Sequence, residues 1–328
     1  MPPSETEREP TAAGPEVTVV IPAYNALRFV DRAISSALAQ TGVRLDRVVV
    51  VDDASTDGTL AHLEARAAAE PRLTVLAQPA NLGPGAARNR GLDAVRTPWV
   101  AVLDADDAMA PDRLSRLIAV AEEGGFDAVG DLWTNWDPRT GAPADEQLPA
   151  SGAVQALELI DMLQLDPETG AHLSSIKPVF RTALRADGRL AYPDLRHGQD
   201  VSLYREMMLG GVRFGLLRDP LYLFTPRMID GRLVGTSVTR IDYAALARDT
   251  RAFGERLKDT PHWSEDLERQ IDIVVDRLER KDRRWGWTML RAGEWRQVGR
   301  WVRRDPRKAV SLGRIAVAKA AGHRGLPD

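Results

Sequence analysis

The stretch that decides the fold is WVAVLDADD, residues 99–107, an apolar run that ends in three carboxylates. A strand so uniformly apolar is typical of a parallel sheet buried on both faces. Side chains alternate along a strand, so we expect Asp104 and Asp106 to point the same way where the strand ends. In open α/β sheets, ligands bind outside the carboxyl ends of the strands. The stretch therefore predicts a binding site at one edge of a sheet.

The pair of carboxylates also predicts what is bound there. Two aligned carboxylates repel a phosphate unless a cation lies between them. Asp104 and Asp106 therefore indicate a hard divalent ion with oxygen ligands, Mg²⁺ or Mn²⁺. The plainer interpretation of a lone Asp-x-Asp is a solvated acidic turn, because short motifs have many false positives.

Strands and helices alternate around this stretch. Apolar runs at 17–21, 48–51 and 73–76 each precede a segment whose apolar residues recur at helical spacing. Pro111 suits the first turn of a further helix. This alternation predicts an α/β fold with a doubly wound, mostly parallel sheet flanked by helices.

The chain divides into four segments. Residues 1–16 have no apolar period and are predicted to be a disordered N-terminus. Residues 17–130 hold the regular strands and helices, and residues 131–240 are less regular, with a stretch rich in Pro and Gly. Residues 241–328 have a helical pattern. We therefore expect a sheet in two halves, followed by a helical C-terminal region.

The composition excludes several classes of protein. There is no cysteine, which rules out disulfides and thiolate metal sites and fits a reducing compartment. No run of about 18 apolar residues occurs, and the N-terminus lacks the apolar core of a signal peptide. We therefore expect a cytoplasmic protein.

The net charge of -3 hides an asymmetry. Residues 277–325 hold 15 Lys or Arg against 4 Asp or Glu, and Trp residues are interleaved with these cations. Amphipathic helices of this composition can lie on the anionic inner face of a membrane, which predicts peripheral membrane contact. The plainer interpretation is a helical subdomain that packs its Trp residues inward. No nucleic-acid-binding motif accompanies the charge, so nucleic acid is not an expected partner.

Two common nucleotide-binding motifs are absent. The turn after the first strand reads Pro22-Ala23-Tyr24-Asn25, so the G-x-G-x-x-G fingerprint is missing there, and the chain has no G-x-x-x-x-G-K-[ST] loop. The missing glycines also argue against a sugar nucleotidyltransferase, which needs a G-x-G-T-R-like loop at this turn.

Other residues at neighbouring strand ends suit a nucleoside diphosphate. The candidates are an aromatic ring, an acid, an arginine and the carboxylate pair: Tyr24, Asp52 or Asp53, Arg88, and Asp104 with Asp106. The competing interpretations are half-buried packing for Tyr24 and turn formation or helix capping for the two acids at 52 and 53. The shared edge of the sheet favours a common site.

Four blocks of sequence resemble the family 2 glycosyltransferases and occur in that family's order. They are VVIPAYN at 19–25, VDDASTDGT at 51–59, NLGPGAARNRG at 81–91 and LDADD at 103–107. The resemblance implies the GT-A fold, with a Rossmann-like sheet. It also implies inverting transfer of a sugar from a nucleotide donor, most often a UDP-sugar. The acceptor would be a saccharide, a lipid-linked molecule or another hydroxyl compound, as in cell-surface polysaccharide or glycoconjugate synthesis.

The resemblance also implies a role for each residue. Tyr24 stacks on or flanks the base, and Asp53 hydrogen-bonds it. Asp104 reaches the ribose side, and Asp106 ligates the metal that bridges the diphosphate. Further residues of the same blocks are assigned to nucleotide-sugar binding: Pro22, Arg88 and Ala105.

The acceptor half holds one candidate catalytic residue. Where the family usually has Glu-Asp at the start of a helix, this chain has Gln199-Asp200. Asp200 is the candidate general base, which takes the proton of the acceptor hydroxyl. The competing interpretation is that Asp200 caps the helix. Because Gln199 replaces an acid, a catalytically degenerate relative that binds a nucleotide or a partner stays an alternative.

Two other places in this half carry cations. Lys177 and Arg181 flank a predicted strand at 176–181, where a solvated face is favoured over phosphate contact. The segment 222–227, followed by Thr236-Ser237, resembles the family's closing loop and makes Arg227 a candidate phosphate contact.

Overall fold

The computed structural model describes residues 14–137, 142–143, 150–164, 173–225, 228–229, 232–233, 242–291 and 293–304. The candidate phosphate contact Arg227 and nearly all of the predicted disordered segment 1–16 lie outside these residues. The chain divides into two compact units, Met1–Thr239 and Arg240–Asp328.

The first unit is built from strands and helices that alternate over its N-terminal half. The strands are β1 (Glu16–Ala23), β2 (Arg44–Asp52), β3 (Leu73–Ala77), β4 (Trp99–Val102), β5 (Ala108–Met109), β6 (Ala128–Asp137), β7 (Ala142–Pro143), β8 (Val154–Leu157), β9 (Val179–Arg181), β10 (Phe214–Phe224), β11 (Met228–Ile229) and β12 (Arg232–Leu233). The helices are α1 (Val30–Leu38), α2 (Thr59–Ala69), α3 (Pro84–Asp93), α4 (Arg113–Gly124), α5 (Ala183–Ala186) and α6 (Gln199–Leu209). Short 3-10 turns lie at Leu159–Met162 and Leu173–Ser175.

Ten of these strands form one sheet, in the order β3-β2-β1-β4-β9-β6-β10-β5, with β7 on β6 and β8 on β10. β1 runs parallel to β2 and β4, and β2 runs parallel to β3. The predicted α/β sheet is therefore confirmed. The short strand β9 is antiparallel to both of its neighbours, β4 and β6. This reversal brings the start of β9 to the carboxyl end of β4.

The sheet is buried on both faces, as the apolar strands predict. Val19 and Ile21 of β1 are fully buried and belong to the same core cluster as residues of α1 and α4. Val20 points to the other face, toward α3, where a Cβ on Gly91 would lie only 2.3 Å from the Val20 side chain. Glycine at 91 therefore lets α3 pack closely on β1.

A fully buried ion pair anchors the middle of the sheet. Arg113, at the start of α4, donates hydrogen bonds of 2.7 to 3.1 Å to both oxygens of Asp131 on β6. The same guanidinium donates to the carbonyl of Lys177 and lies 5.1 Å from the centroid of the Tyr222 ring. Burial raises the pKa of Asp131, and Arg113 opposes that shift. The pair therefore holds the backbone that enters β9.

The second unit contains α7 (Tyr243–Leu257), α8 (Glu265–Arg291) and α9 (Trp295–Arg304). Trp301 is buried and donates its indole N–H to Asp282 at 2.9 Å, and Gly286 leaves room for the ring. Trp295, in contrast, is 67% exposed. Inward packing is therefore found for Trp301 and not for Trp295. Within the described segments, no helix combines the length and apolarity that a membrane span requires.

Replacing Arg113 by Met should lower the free energy of unfolding by about 3–5 kcal/mol, because Asp131 is left buried without its cation. Urea denaturation at neutral pH measures the change. The matched control is Arg47→Met, which removes an exposed pair with Asp46 on β2 and should cost at most about 1 kcal/mol. Equal losses in the two variants would mean that the buried pair contributes no more than an exposed one.

Candidate functional site

Four charged side chains form a closed ring of ion pairs beyond the carboxyl end of β4. This ion-pair ring consists of Arg88 on α3, Asp104 after β4, Lys177 before β9 and Asp200 on α6. Asp104 Oδ1 lies 2.7 Å from Arg88 Nη2, and Asp104 Oδ2 lies 3.2 Å from Lys177 Nζ. Asp200 Oδ2 lies 2.5 Å from Lys177 Nζ, and Asp200 Oδ1 lies 3.4 Å from Arg88 Nη1. Two cations and two carboxylates make the ring electrically neutral.

The antiparallel course of β9 places Lys177 in the ring. Ala101 of β4 pairs with Val179 of β9, so the residues just before Val179 lie beside those just after β4. Two carbonyls hold this backbone: that of Lys177 accepts from Arg113, and that of Ile176 accepts from the Tyr204 hydroxyl at 3.0 Å. Lys177 was predicted to lie on a solvated face, and this prediction is wrong: its side chain is only 11% exposed.

Asp200 reaches the ring from the second position of α6. The helix begins after Gly198, which adopts φ 70 and is the capping residue, with no side-chain capping bond. The carboxylate of Asp200 points instead to Lys177 and Arg88. The capping interpretation of Asp200 is therefore wrong.

Mutual attraction keeps the ring charged. Burial acts to lower the pKa of Lys177, but the carboxylates of Asp104 and Asp200 outweigh it and raise that pKa. Burial likewise acts to raise the pKa of Asp104, but Lys177 and Arg88 outweigh it and lower that pKa. At neutral pH, both members of this pair are therefore ionised.

Several polar atoms in and beside the ring have no hydrogen-bond partner in the described part of the chain. They are Nε and Nη1 of Arg88, Oδ1 of Asp200 and Oε1 of Gln199, and all four are buried. Nη1 of Arg88 and Oδ1 of Asp200 face each other at 3.4 Å as an ion pair without forming a hydrogen bond. Arg88 is itself held in place, with its guanidinium 5.2 Å from the centroid of the Tyr192 ring. Unpaired buried donors and acceptors are costly, so they indicate a ligand that supplies both. Phosphate oxygens can accept from Arg88, and a hydroxyl can donate to Asp200.

Asp107, the third carboxylate of residues 99–107, has a structural role. Asp107 is buried and accepts hydrogen bonds from the Tyr222 hydroxyl at 2.7 Å and from the backbone N–H of Thr225 at 2.8 Å. Burial and the neighbouring carboxylates of Asp106 and Asp104 raise the pKa of Asp107. Arg32 of α1 completes the anchor by donating to the carbonyl of Asp106 at 2.9 Å. These contacts fix the turn that presents the carboxylate pair.

Binding of a divalent ion by Asp104 and Asp106 stays a prediction. Both oxygens of Asp104 contact cationic nitrogens, so metal coordination by Asp104 requires Arg88 or Lys177 to move. Asp106 is half-buried, and Ala105 between the two acids is buried. In the part of the chain that the structure describes, no three acidic, His or Cys side chains are grouped around one metal position. Ligand oxygens would therefore have to complete the coordination sphere.

Asp53 anchors the loop that leads into α3. It is buried and accepts three hydrogen bonds, from Gln78 Nε2 at 2.6 Å and from the backbone N–H groups of Leu82 and Gly83, both at 2.8 Å. Asp52 accepts from the backbone of Ser55 at 3.0 Å. The turn-forming interpretation is therefore found for both acids, and contact between Asp53 and a base stays a prediction.

The loops after β1 and β2 hold Tyr24 at the same edge of the sheet. Asn25 and Ala54 adopt positive φ values of 50 and 58, and Thr56 N–H donates to Asn25 Oδ1 at 2.8 Å. Tyr24 is 49% exposed and Pro22 is half-buried. The exposed ring is available to a ligand, and its stacking on a base stays a prediction.

Four contacts beneath the site were not predicted from the sequence. Arg113 with Asp131 supports the carbonyl of Lys177, and Asn89 holds the backbone of Tyr192 with two hydrogen bonds of 2.8 and 2.9 Å. Arg88 and Asn89 are neighbours on α3, so one helix places both groups. A buried arginine at a helix start and an asparagine within a helix are weak sequence signals, because both residues are usually exposed there.

Succinoglycan biosynthesis protein ExoO of Rhizobium meliloti (strain 1021) is 50% identical over 244 residues, which are 72% of this chain and 67% of the relative. Succinoglycan biosynthesis protein ExoU of the same strain is 31% identical over 256 residues, 75% of this chain and 72% of the relative. Among solved structures, S. aureus TarS 1–349 in complex with UDP-GlcNAc is similar to this chain, with a TM-score of 0.60 and 22% sequence identity. The match covers 80% of this chain and 71% of the TarS chain.

The fold and the site define the class of protein. The mixed α/β sheet flanked by helices has the GT-A fold of its structural neighbours. The model of the family described as Glycosyl transferase family 2 matches residues 18–155. This chain belongs to glycosyltransferase family 2.

Asp53→Asn should lower the free energy of unfolding by about 1–3 kcal/mol, because an amide N–H₂ would face the backbone donors of Leu82 or Gly83. Urea denaturation measures the loss. Asp46→Asn is the matched control. Asp46 on β2 pairs with the exposed side chain of Arg47, so this substitution should change stability by about 0.5 kcal/mol or less. If the two variants are equally stable, Asp53 does not anchor the loop.

Proposed function

We propose that this protein transfers a sugar from a nucleotide-diphosphate donor, of the UDP-sugar type, to a hydroxyl acceptor with inversion of configuration. The observation that carries the proposal is the buried guanidinium of Arg88 beside the carboxylate of Asp200, with donors on the one and an acceptor on the other that make no hydrogen bond in the described part of the chain. Two relatives are named for succinoglycan biosynthesis, and TarS has been solved with UDP and with UDP-GlcNAc. These names support synthesis of a cell-surface polysaccharide or glycoconjugate.

The donor would bind along the carboxyl edge of the parallel strands. The diphosphate would contact Arg88, and the nucleoside would lie toward the Tyr24 and Asp53 loops, next to Pro22 and Ala105. Asp106, assisted by Asp104, would hold Mn²⁺ or Mg²⁺. When bound, such an ion offsets the charge that develops on the leaving phosphate.

Asp200 would act as the general base. Its carboxylate takes the proton of the acceptor hydroxyl while that oxygen forms a bond to the anomeric carbon. The bond from the anomeric carbon to the diphosphate breaks on the opposite face, and the nucleoside diphosphate leaves with the bonding electron pair. A single displacement of this kind inverts configuration.

Contact of the basic C-terminal region with a membrane, and the cytoplasmic location, stay predictions. On α9, Trp295 is 67% exposed, and Arg296 and Arg303 are also exposed. Trp301 on the same helix packs inward, and its insertion into lipid would break its hydrogen bond to Asp282. Within the described part of α9, the exposed face that carries Trp295 is therefore the candidate for such contact.

We expect the protein to bind UDP in preference to GDP or dTDP, and to require Mn²⁺ or Mg²⁺ for tight binding. Calorimetric titration of each nucleotide, with and without the ion, measures both properties. Asp106→Ala should abolish the metal-dependent part of binding, because it removes the principal carboxylate ligand. Asp112→Ala, at an exposed carboxylate before α4, is the matched control. Identical UDP binding by the parent and Asp106→Ala would remove the metal assignment.

Asp200→Asn should reduce turnover of a UDP-sugar by about 10² or more, the scale expected when a general base is lost, while UDP still binds. Release of UDP by slow donor hydrolysis measures turnover without knowledge of the acceptor. Asp194→Asn, at an exposed acid six residues earlier, should behave like the parent. Unchanged hydrolysis in Asp200→Asn would exclude its role as base. Tight UDP binding by a parent that shows no hydrolysis above buffer would favour the nucleotide-binding module without turnover.

A further inference from the structure

We propose that Lys177 binds the donor diphosphate in competition with Asp200, so that donor binding releases the general base. The inference rests on the proposed function. It assigns to Lys177 two exchangeable partners, the carboxylate of Asp200 and a phosphate oxygen. Donor binding and activation of the base are then one event.

The first step of the argument is that Asp200, as the ring holds it, is not ready to accept a proton. Its Oδ2 lies 2.5 Å from Lys177 Nζ, a short charge-assisted hydrogen bond. Its Oδ1 faces Arg88 at 3.4 Å and is buried. A general base must come within about 2.6–3.2 Å of the proton donor, so the acceptor hydroxyl needs an oxygen that a cation now holds. Departure of Lys177 would free Oδ2 of Asp200, the oxygen with the shorter contact, for the acceptor hydroxyl.

The second step concerns which parts of the ring can move. Arg88 is 4% exposed and lies against the Tyr192 ring, so its guanidinium is fixed by packing. The backbone around Lys177 is held by Arg113 and Tyr204. The lysine side chain, however, is a flexible four-carbon stem with a compact charge. It can therefore shift while the rest of the ring stays in place.

The third step is that Lys177 keeps a carboxylate partner throughout the exchange. Asp104 Oδ2 lies 3.2 Å from Lys177 Nζ, and Asp104 stands at the end of β4 where the diphosphate is expected. An ammonium has three N–H donors, so it can hold Asp104 while a phosphate oxygen replaces Asp200. The ammonium is thus never buried without an anion, a situation that would be costly.

The fourth step is charge balance. The ring alone is neutral, so a diphosphate adds negative charge next to Lys177 and competes for its ammonium. Gln199, beside Asp200, is uncharged, so Asp200 is the only carboxylate at the start of α6 that retains Lys177. A second acid at position 199 would hold the Lys177 ammonium more strongly at the start of α6, and a phosphate would displace it less readily. The Gln-Asp pair therefore suits an exchange of Lys177 to phosphate.

A four-protein cycle tests the exchange by calorimetric titration of UDP at saturating Mn²⁺. The proteins are the parent, Lys177→Met, Asp200→Asn and the double variant. Lys177→Met should weaken UDP binding about tenfold or more, because a charge-assisted contact is lost. Asp200→Asn should tighten it about threefold to tenfold, because the competing carboxylate is gone. That tightening should disappear in the Lys177→Met background, where there is no ammonium to release.

Two further variants control for structural effects. Lys177→Arg retains the charge and should restore most of the UDP affinity lost in Lys177→Met. Arg181→Met removes the cation at the other end of β9, which lies 4.4 Å from the centroid of the Trp99 ring and outside the ion-pair ring, and should bind UDP like the parent. Near-UV circular dichroism of every variant establishes that it is folded.

The possible failures are distinct. If the parent binds UDP but Lys177→Met binds it equally well, Lys177 only positions Asp200 and the exchange is wrong while the proposed function stands. The same conclusion follows if Asp200→Asn changes UDP affinity equally in both backgrounds, since the effect then runs through Arg88. If the folded parent binds none of UDP, GDP and dTDP, the proposed function itself fails and the exchange fails with it.

Discussion

Carboxylates at the end of a buried strand need nearby cations to compensate their negative charge. This requirement determines which side chains surround the end of β4. Asp104 leaves the core at the end of β4, where repulsion from Asp106 and Asp107 would otherwise be poorly screened. Arg88 and Lys177 supply the compensating charge, and Asp200 balances them in turn. Ion pairs thus connect four parts of the chain: α3, the turn after β4, the segment before β9 and the start of α6. The ion pair between Arg113 and Asp131 extends the same rule beneath the site.

The sheet could be predicted because its determinants are local. An apolar run that ends in small polar residues specifies a buried strand and a turn, and the run before Asp104 does so plainly. The position of Lys177 could not be predicted in this way. It depends on the antiparallel pairing of β9 with β4, between residues about 80 positions apart, and a three-residue strand carries no sequence sign of its direction. The lysine therefore looked solvated in the sequence and lies in the ring in the structure.

The acids at strand ends show why site residues are harder to interpret than strands. Asp53 and Asp107 each follow a buried strand, as Asp104 does, yet their oxygens are taken up by backbone N–H groups, a side-chain amide and a hydroxyl. A sequence displays three similar carboxylates, and only the hydrogen-bond partners separate those that shape a loop from one that faces cations. Conversely, capping of α6 was the competing interpretation of Asp200, and the left-handed Gly198 takes that place.

The ion-pair ring also couples the end of β4 to the start of α6. Asp104 and Asp200 share the same two cations, so anything that draws Lys177 toward Asp104 weakens its hold on Asp200. The proposed diphosphate site lies on the Asp104 side, where the parallel strands end. In the proposed exchange, an anion at one side of the ring would free an acceptor at the other through the side chain of Lys177. Coupling of this kind needs two carboxylates that compete for one ammonium, and this chain provides them from β4 and α6.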